Sequence, residues 1–326
     1  MKILGMGNAL VDIMTQLEDD AFLERFKLPR GSMTLVDREM SNFIHVETTG
    51  LKKVQSSGGS AANTIHGLAH MGLETAYIGK IGNDEMGAFF RRDMVHNGIN
   101  PILYNSFNDT GRAVALVSPD SERTFATYLG AAVELSEEDI TRDIFNGYDI
   151  FYLEGYLINN PVLFEKALRI AKKENLKTAI DLASYNIVSD FKDSFQTIIR
   201  DLVDIVFANE DEARALTGKD PEEAIKALSE VTEIAIVKTG SKGSIIQSDS
   251  ISHTIPALDV HPVDTTGAGD LYAAGFLYGL SKNLGLEKSG KIGTVLAGNV
   301  IEIIGAKMDE PRWNNIKKEI RLIETE

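Results

Sequence analysis

The stretch Asp264-Thr265-Thr266-Gly267-Ala268-Gly269-Asp270-Leu271-Tyr272-Ala273-Ala274-Gly275-Phe276 decides how this chain is read. Two aspartates bracket a Thr-Gly-Ala-Gly turn, and small and apolar residues suited to a helix follow at once. Glycines let a backbone turn tightly and bring its N–H groups close to a bound group. A helix starting there aims unpaired N–H groups and the positive end of its dipole at one point, which makes an anion site. Asp270 is the odd member. A carboxylate in that first turn repels a resting phosphate but can take the proton of a hydroxyl that attacks one. The pairing points to phosphoryl transfer to an alcohol, with Gly267, Ala268 and Gly269 as donors and Asp270 as base. The plainer alternative is a helix carboxylate satisfied by the dipole alone.

The chain around this stretch has 326 residues, enough for one large α/β domain or for one domain with a small appendage. A net charge of −15 argues against nucleic acid or an anionic membrane as the main partner. An anionic substrate then needs a local cluster of donors. The absence of cysteine excludes disulfides, thiolate zinc sites and cysteine nucleophiles, and the six histidines show no ligand-like spacing. Asp12 interrupts the first apolar run before a signal-peptide core can form, and no stretch approaches the ~20 apolar residues that cross a bilayer. A cytoplasmic protein is expected.

Residues 2–8 read as a buried strand with Gly5 and Gly7, but Leu10 stands where a dinucleotide fingerprint needs its third glycine. Close strand packing is the better account of those two glycines. Asp12, just past the strand's carboxyl end, lies where α/β sheets bind ligands. Ser57-Gly58-Gly59-Ser60-Ala61-Ala62-Asn63 opens a helix over 61–71. Its glycine pair permits a ligand to approach the backbone, or merely caps and packs the helix. Asn63 can offer both a donor and an acceptor to sugar hydroxyls.

Residues 13–49 and 101–124 have a different texture, with short strand-like pieces such as Ile102-Leu103-Tyr104 and a turn at Pro119-Asp120-Ser121-Glu122. They read as two excursions that pair into a small β lid, or as edge hairpins. Residues 1–12, 50–100 and 125–326 then form the main domain. From residue 125 onward, strands at 149–154, 178–181, 204–209 and 233–238 alternate with helices. That alternation implies βαβ units and a parallel sheet, and a hairpin over 244–255 adds an antiparallel edge. The segment Ser136-Glu137-Glu138-Asp139 is a capping box, and Asp220-Pro221 opens another helix. Helices over 267–281 and 286–304 and a charged terminal helix complete the layers.

Asn209 and Glu212 share a face at a helix start, where acidic residues also belong for the dipole alone. Magnesium needs only one or two carboxylates, often through water. Lys238-Thr239-Gly240-Ser241-Lys242-Gly243 ends a strand in a manner suited to a phosphate tail, but G-x-x-x-x-G-K-[ST] occurs nowhere.

Together these segments resemble the PfkB (ribokinase-like) family of sugar and nucleoside kinases. The resemblance rests on Gly58-Gly59 with Asn63, running on to Gly79-Lys80-Ile81-Gly82-Asn83-Asp84, and on Asp264-Thr265-Thr266-Gly267-Ala268-Gly269-Asp270. It implies a three-layer α/β/α sandwich with a mostly parallel central sheet and a small β lid. It also implies Asp270 as base, Gly267, Ala268 and Gly269 as anion hole, and Asp12, Gly58, Gly59 and Asn63 at the acceptor's hydroxyls. Mg-ATP falls to Asn209 and Glu212, with Lys238, Thr239, Gly240 and Gly243 at the phosphates and Asn299 near the adenine. Carbonyls around Asp264 and Thr266 are expected to bind potassium.

Ser60 stands where ribokinases carry lysine. Residues 7–12 and Arg123-Thr124-Phe125 look more like the adenosine-kinase-like branch. Leu35 or Phe107 could stack on a purine, or belong to the lid core. An apolar lid face could pair two subunits. The expected activity is ATP-dependent phosphorylation of a primary hydroxyl of a sugar or ribonucleoside. The rivals are a dinucleotide-dependent oxidoreductase and a non-catalytic nucleoside- or sugar-binding protein.

Overall fold

The computed structural model describes residues 1–120 and 122–325. Among these, nine strands form one sheet in the order Ile251–Ile255, Ser244–Ser248, Ile234–Lys238, Ile205–Asn209, Lys177–Asp181, Ile150–Glu154, Lys2–Met6, Glu74–Gly82 and Ile99–Ser106. The first two pairings are antiparallel and the rest are parallel.

The central strands are buried on both faces, so they read as continuous apolar runs without alternation. Leu4, Met6, Leu153, Val206 and Val237 pack into one core with Leu163, Leu168 and Ile199 of helices Pro161–Lys173 and Lys192–Leu202. Their neighbours Ile3, Tyr152, Phe207 and Ile236 join a second core with Ile65, Phe276 and Leu296 of helices Ser60–His70, Ala268–Ser281 and Gly285–Val300. Three layers result from this two-sided burial.

A second sheet of five strands runs Met33–Leu35, Arg123–Tyr128, Gly111–Val117, Leu10–Gln16 and Lys53–Gly58. Its composition corrects two expectations. The segment 102–104 belongs to the edge strand of the large sheet, not to the small one. Asp12 does not follow the first strand directly: the chain leaves the large sheet after Met6 and enters the small one at Leu10, with Asp12 paired between Ser56 and Ala113. The first excursion also contains a helix, Arg38–Glu47, capped by the Asp37 side chain on Met40 N, which the sequence reading did not mark.

Ser136 and Asp139 do form a capping box, but it closes a single 3₁₀ turn, Glu137–Asp139, and no longer helix. Of the turn expected at 119–122, Ser121 lies outside the described residues; its flanks are joined by Ser118 N donating to Glu122 O at 2.8 Å. No helix among the described residues is long and apolar enough to cross a membrane.

Candidate active site

Four neighbouring parallel strands end on polar side chains: Glu154, Asp181, Asn209 and Lys238 are each the last residue of their strand. The carboxyl edge of a parallel sheet is where α/β proteins place their ligands. Helix Ala268–Ser281 starts against this edge. Its N-cap, Gly267, has φ +78°, and an added Cβ would lie 2.6 Å from Ala306 Cβ. Only glycine satisfies both constraints. At Gly269 an added Cβ would stand 3.0 Å from Lys238 Nζ, so that ammonium sits beside the turn.

Lys238 donates to Asp181 Oδ2 at 2.7 Å. Burial pulls the lysine's pKa down, but Asp181 and Glu212 outweigh it and leave the amine above its ordinary value. Glu212 is 2% exposed. It and Asn209 form a reciprocal cap, with Asn209 N and Nδ2 on the two carboxylate oxygens and Asn209 Oδ1 accepting from Glu212 N. Burial, with Asp181 adding to it, pushes Glu212 up to about 7.

On the other side of the turn, Asp270 accepts from Ser60 Oγ at 2.7 Å and from Asn63 Nδ2 at 3.0 Å. Burial raises its pKa to about 6, although both hydrogen bonds pull the other way. A carboxylate held just below neutrality is ionised at pH 7 and still basic enough to accept a proton. Asn63 is 5% exposed. Its donor half is taken by Asp270, and its Oδ1 is buried with no partner.

Asp12 faces the same region. A Cβ at Gly58 would come within 2.2 Å of the Asp12 carboxylate, so a side chain at 58 would displace that group. Burial pushes Asp12 up to about 7, with Asp270 adding and Lys307 opposing. Gly59, at φ +99°, then starts helix Ser60–His70.

A cleft of about 470 Å³ lies beyond the turn, lined in part by Asn209, Lys238, Gly240, Gly243, Leu258, Ala268, Gly269, Ala297 and Gly298. Its walls combine apolar surface with the Lys238 amine and the backbone of the glycine turn. Thr239 is buried beneath the 3₁₀ turn Gly240–Lys242 and donates its N–H to Gly243 O. Asn299 follows Gly298 in sequence, but its side chain turns back onto Val295 O within the helix. Leu35 and Phe107 are exposed rather than lid core.

Several residues escaped the sequence reading. Asp181 and Glu154 end buried strands, the same placement that singled out Asp12, and could have been found by that rule. Glu154 is 1% exposed and accepts from Asn8 N, Asn8 Nδ2 and Ala61 N, fixing the loop that carries Gly7 to the helix that carries Asn63. Burial raises it to about 7. Arg123 was noted only for its branch resemblance. Its guanidinium reaches from the small sheet to Asp264 and to Thr266 Oγ1, while Asp264 also takes the N–H groups of Thr266 and Gly305.

A glycine turn at a helix start with two buried carboxylates, Asp270 and Asp12, beside it is an arrangement suited to phosphoryl transfer to an alcohol. The chain belongs to the pfkB family of carbohydrate kinases, whose model matches residues 36–313. An adenosine kinase from Sinorhizobium meliloti has a similar structure, with TM-score 0.87, 34% identity and coverage of 98% of this chain and 99% of that one. A probable sugar kinase from Rhizobium etli CFN 42 superposes with TM-score 0.87 at 33% identity, covering 98% of each chain. Adenosine kinase of Saccharomyces cerevisiae is 26% identical over 325 residues, 92% of this chain and 94% of its own. The protein is therefore an enzyme that phosphorylates a sugar or a nucleoside. Its family implies ATP as phosphate donor, usually with magnesium.

Proposed function

We propose that Asp270 deprotonates a primary hydroxyl of a sugar or ribonucleoside while the 267–269 turn holds the transferring phosphoryl group. The observation that carries this reading is the position of Asp270 between two partner sets. Ser60 and Asn63 fix its carboxylate from the acceptor side, and Lys238 Nζ flanks the turn from the other. The hydroxyl proton passes to an Asp270 oxygen, the alkoxide oxygen forms the new bond to the γ-phosphorus, and the bond to the bridging oxygen breaks to release ADP. The N–H groups of Gly267, Ala268 and Gly269, with Lys238, meet the charge on the phosphoryl oxygens.

Asp12 and the free Oδ1 of Asn63 would accept from the acceptor's other hydroxyls, beside Gly58 and Gly59. The cleft along Gly240, Gly243 and Gly298 would hold the nucleotide, with Thr239 supporting that loop and Asn299 on the helix behind it. Glu212 and Asn209 suit magnesium through water. Their oxygens are engaged in the helix cap but keep a second lone pair each. When bound, the ion neutralises phosphate charge. A potassium ion at the carbonyls of Asp264 and Thr266 would add to a turn that already has the Arg123 guanidinium beside it. That contact also supports a lid role for the small sheet, since it ties strand Arg123–Tyr128 to the anion turn. Closure would exclude water and suppress ATP hydrolysis.

ATP consumption over a panel of adenosine, inosine, guanosine, ribose and fructose tests the reading. Turnover with one or more members is expected. ATP binding without turnover on any of them would leave a ligand-binding protein on the same fold.

A further inference from the structure

The loop between helices Gly285–Val300 and Glu310–Thr325 carries Gly305, Ala306 and Lys307. It is fastened to the site at two points: Gly305 N donates to Asp264 Oδ2 at 2.6 Å, and Ala306 packs against Gly267. The next residue, Lys307, has its Nζ buried with no hydrogen-bond partner among the described residues. The charged and titratable groups facing it come from four elements. They are Asp93 of helix Glu85–His96, Asp12 of the small sheet, Asp270 of helix Ala268–Ser281, and His66 and His70 of helix Ser60–His70. Burial lowers its pKa to about 8.

An unpaired buried ammonium costs several kcal/mol, so a stable fold does not gain by keeping one. In the segment Ser57 to Asn63, Ser57 Oγ and Asn63 Oδ1 are likewise buried without a partner among the described residues. Lys307, by contrast with Lys238, has no carboxylate at ion-pair distance among the described residues. Besides Asp93, the carboxylates whose charge acts on it are Asp12 and Asp270.

We propose that Lys307 is a recognition residue for the acceptor: its ammonium donates to one hydroxyl oxygen of a neutral vicinal diol whose other hydroxyl donates to Asp12. This rests on the kinase reading above and deepens it. Asp12, Asp93 and Asp270 together outnumber the single amine, so the pocket selects a neutral polyhydroxylated acceptor and rejects one that carries a phosphate or a carboxylate.

The test is Lys307→Met, with Lys307→Gln as the variant that keeps a donor. Both are assayed at saturating ATP with the panel member that the wild type phosphorylates best, and with its analogue lacking one hydroxyl of the diol. A hydrogen bond to a charged group is worth ~1.5–3 kcal/mol, so the acceptor KM of Lys307→Met should rise roughly tenfold or more. KM for ATP should stay within about twofold, and Lys307→Gln should recover part of the loss. The deoxy analogue should no longer distinguish wild type from Lys307→Met. The melting temperature of Lys307→Met should equal or exceed that of the wild type, because a buried unpaired charge is gone.

An unchanged acceptor KM in an active protein overturns the assignment of Lys307 alone. So does a lower melting temperature with both KM values raised alike, which marks a structural lysine. A wild type that phosphorylates no panel member overturns the proposed function itself, and the acceptor role of Lys307 falls with it.

Discussion

The two ends of the site are built in opposite ways. Around the glycine turn, among the described residues, Lys238 is paired with Asp181, Glu212 with Asn209 and Arg123 with Asp264. Around Asp12 and Asn63, the atoms Asn63 Oδ1, Ser57 Oγ and Lys307 Nζ are buried without a partner among the described residues. A paired network is rigid before the ligand arrives, and preorganised donors of this kind act without reorganising during the reaction. Unpaired buried groups carry a desolvation cost that a ligand relieves, and a ligand lacking the matching hydroxyl leaves that cost in place. On the proposed function the first end serves the chemistry and the second the choice of molecule.

Replacing the group where the two ends meet should have the largest effect. Asp270→Asn keeps the shape and the contact to Ser60 but cannot take a proton. Its kcat should fall by roughly 10²–10⁴-fold with the fold intact, measured by steady-state ATP turnover and thermal melting. Near-wild-type turnover would remove Asp270 as the base and dissolve the contrast.

Breaking the paired end should damage stability as well as activity. Lys238→Met leaves Asp181 and Glu212 facing each other without their amine, and removing one partner of a buried pair costs roughly 3–5 kcal/mol. A clearly lower melting temperature and a higher KM for ATP are expected. Equal melting of variant and wild type would show that the pair is not preformed.

The smallest effect sharpens the unpaired end. Asp12 has a folded pKa of about 7 against an ordinary value of 3.8. The folded state thus holds the proton more tightly, and Asp12 contributes stability below pH 4 that is lost as pH rises towards 7. Asp12→Asn, which does not titrate, should melt like the wild type near pH 4 and a few degrees above it by pH 8. A gap that stays constant across that range would mean that Asp12 is not desolvated.

Much of this was legible along the chain. The two glycine motifs and Asp270 lie in short contiguous stretches whose chemistry depends on local backbone geometry, and local geometry is what residue order encodes most directly. The strands at 149–154, 178–181, 204–209 and 233–238 were marked by apolar runs, and they appear within a residue of the expected bounds. Helix Arg38–Glu47 carries a weak signal, because its apolar residues are few, Phe43 and Val46 among them stay exposed, and only Ser41 and Ile44 are buried. The segment 102–104 reads equally as lid or as edge, because a half-buried edge strand looks the same in either sheet; it lies at the edge of the large one.

By itself the sequence determined the glycine turn with its aspartate, the parallel α/β core and the family to which the chain belongs. Each depends on residues close together in the chain or on the period of apolar side chains. Only the tertiary structure decided which charges are paired. Arg123 and Asp264 stand 141 positions apart, and Ser60 and Asp270 stand 210 apart. Lys307 lies in a loop whose local sequence carries no signal. That none of the described residues pairs with it depends on what four separate elements place around it.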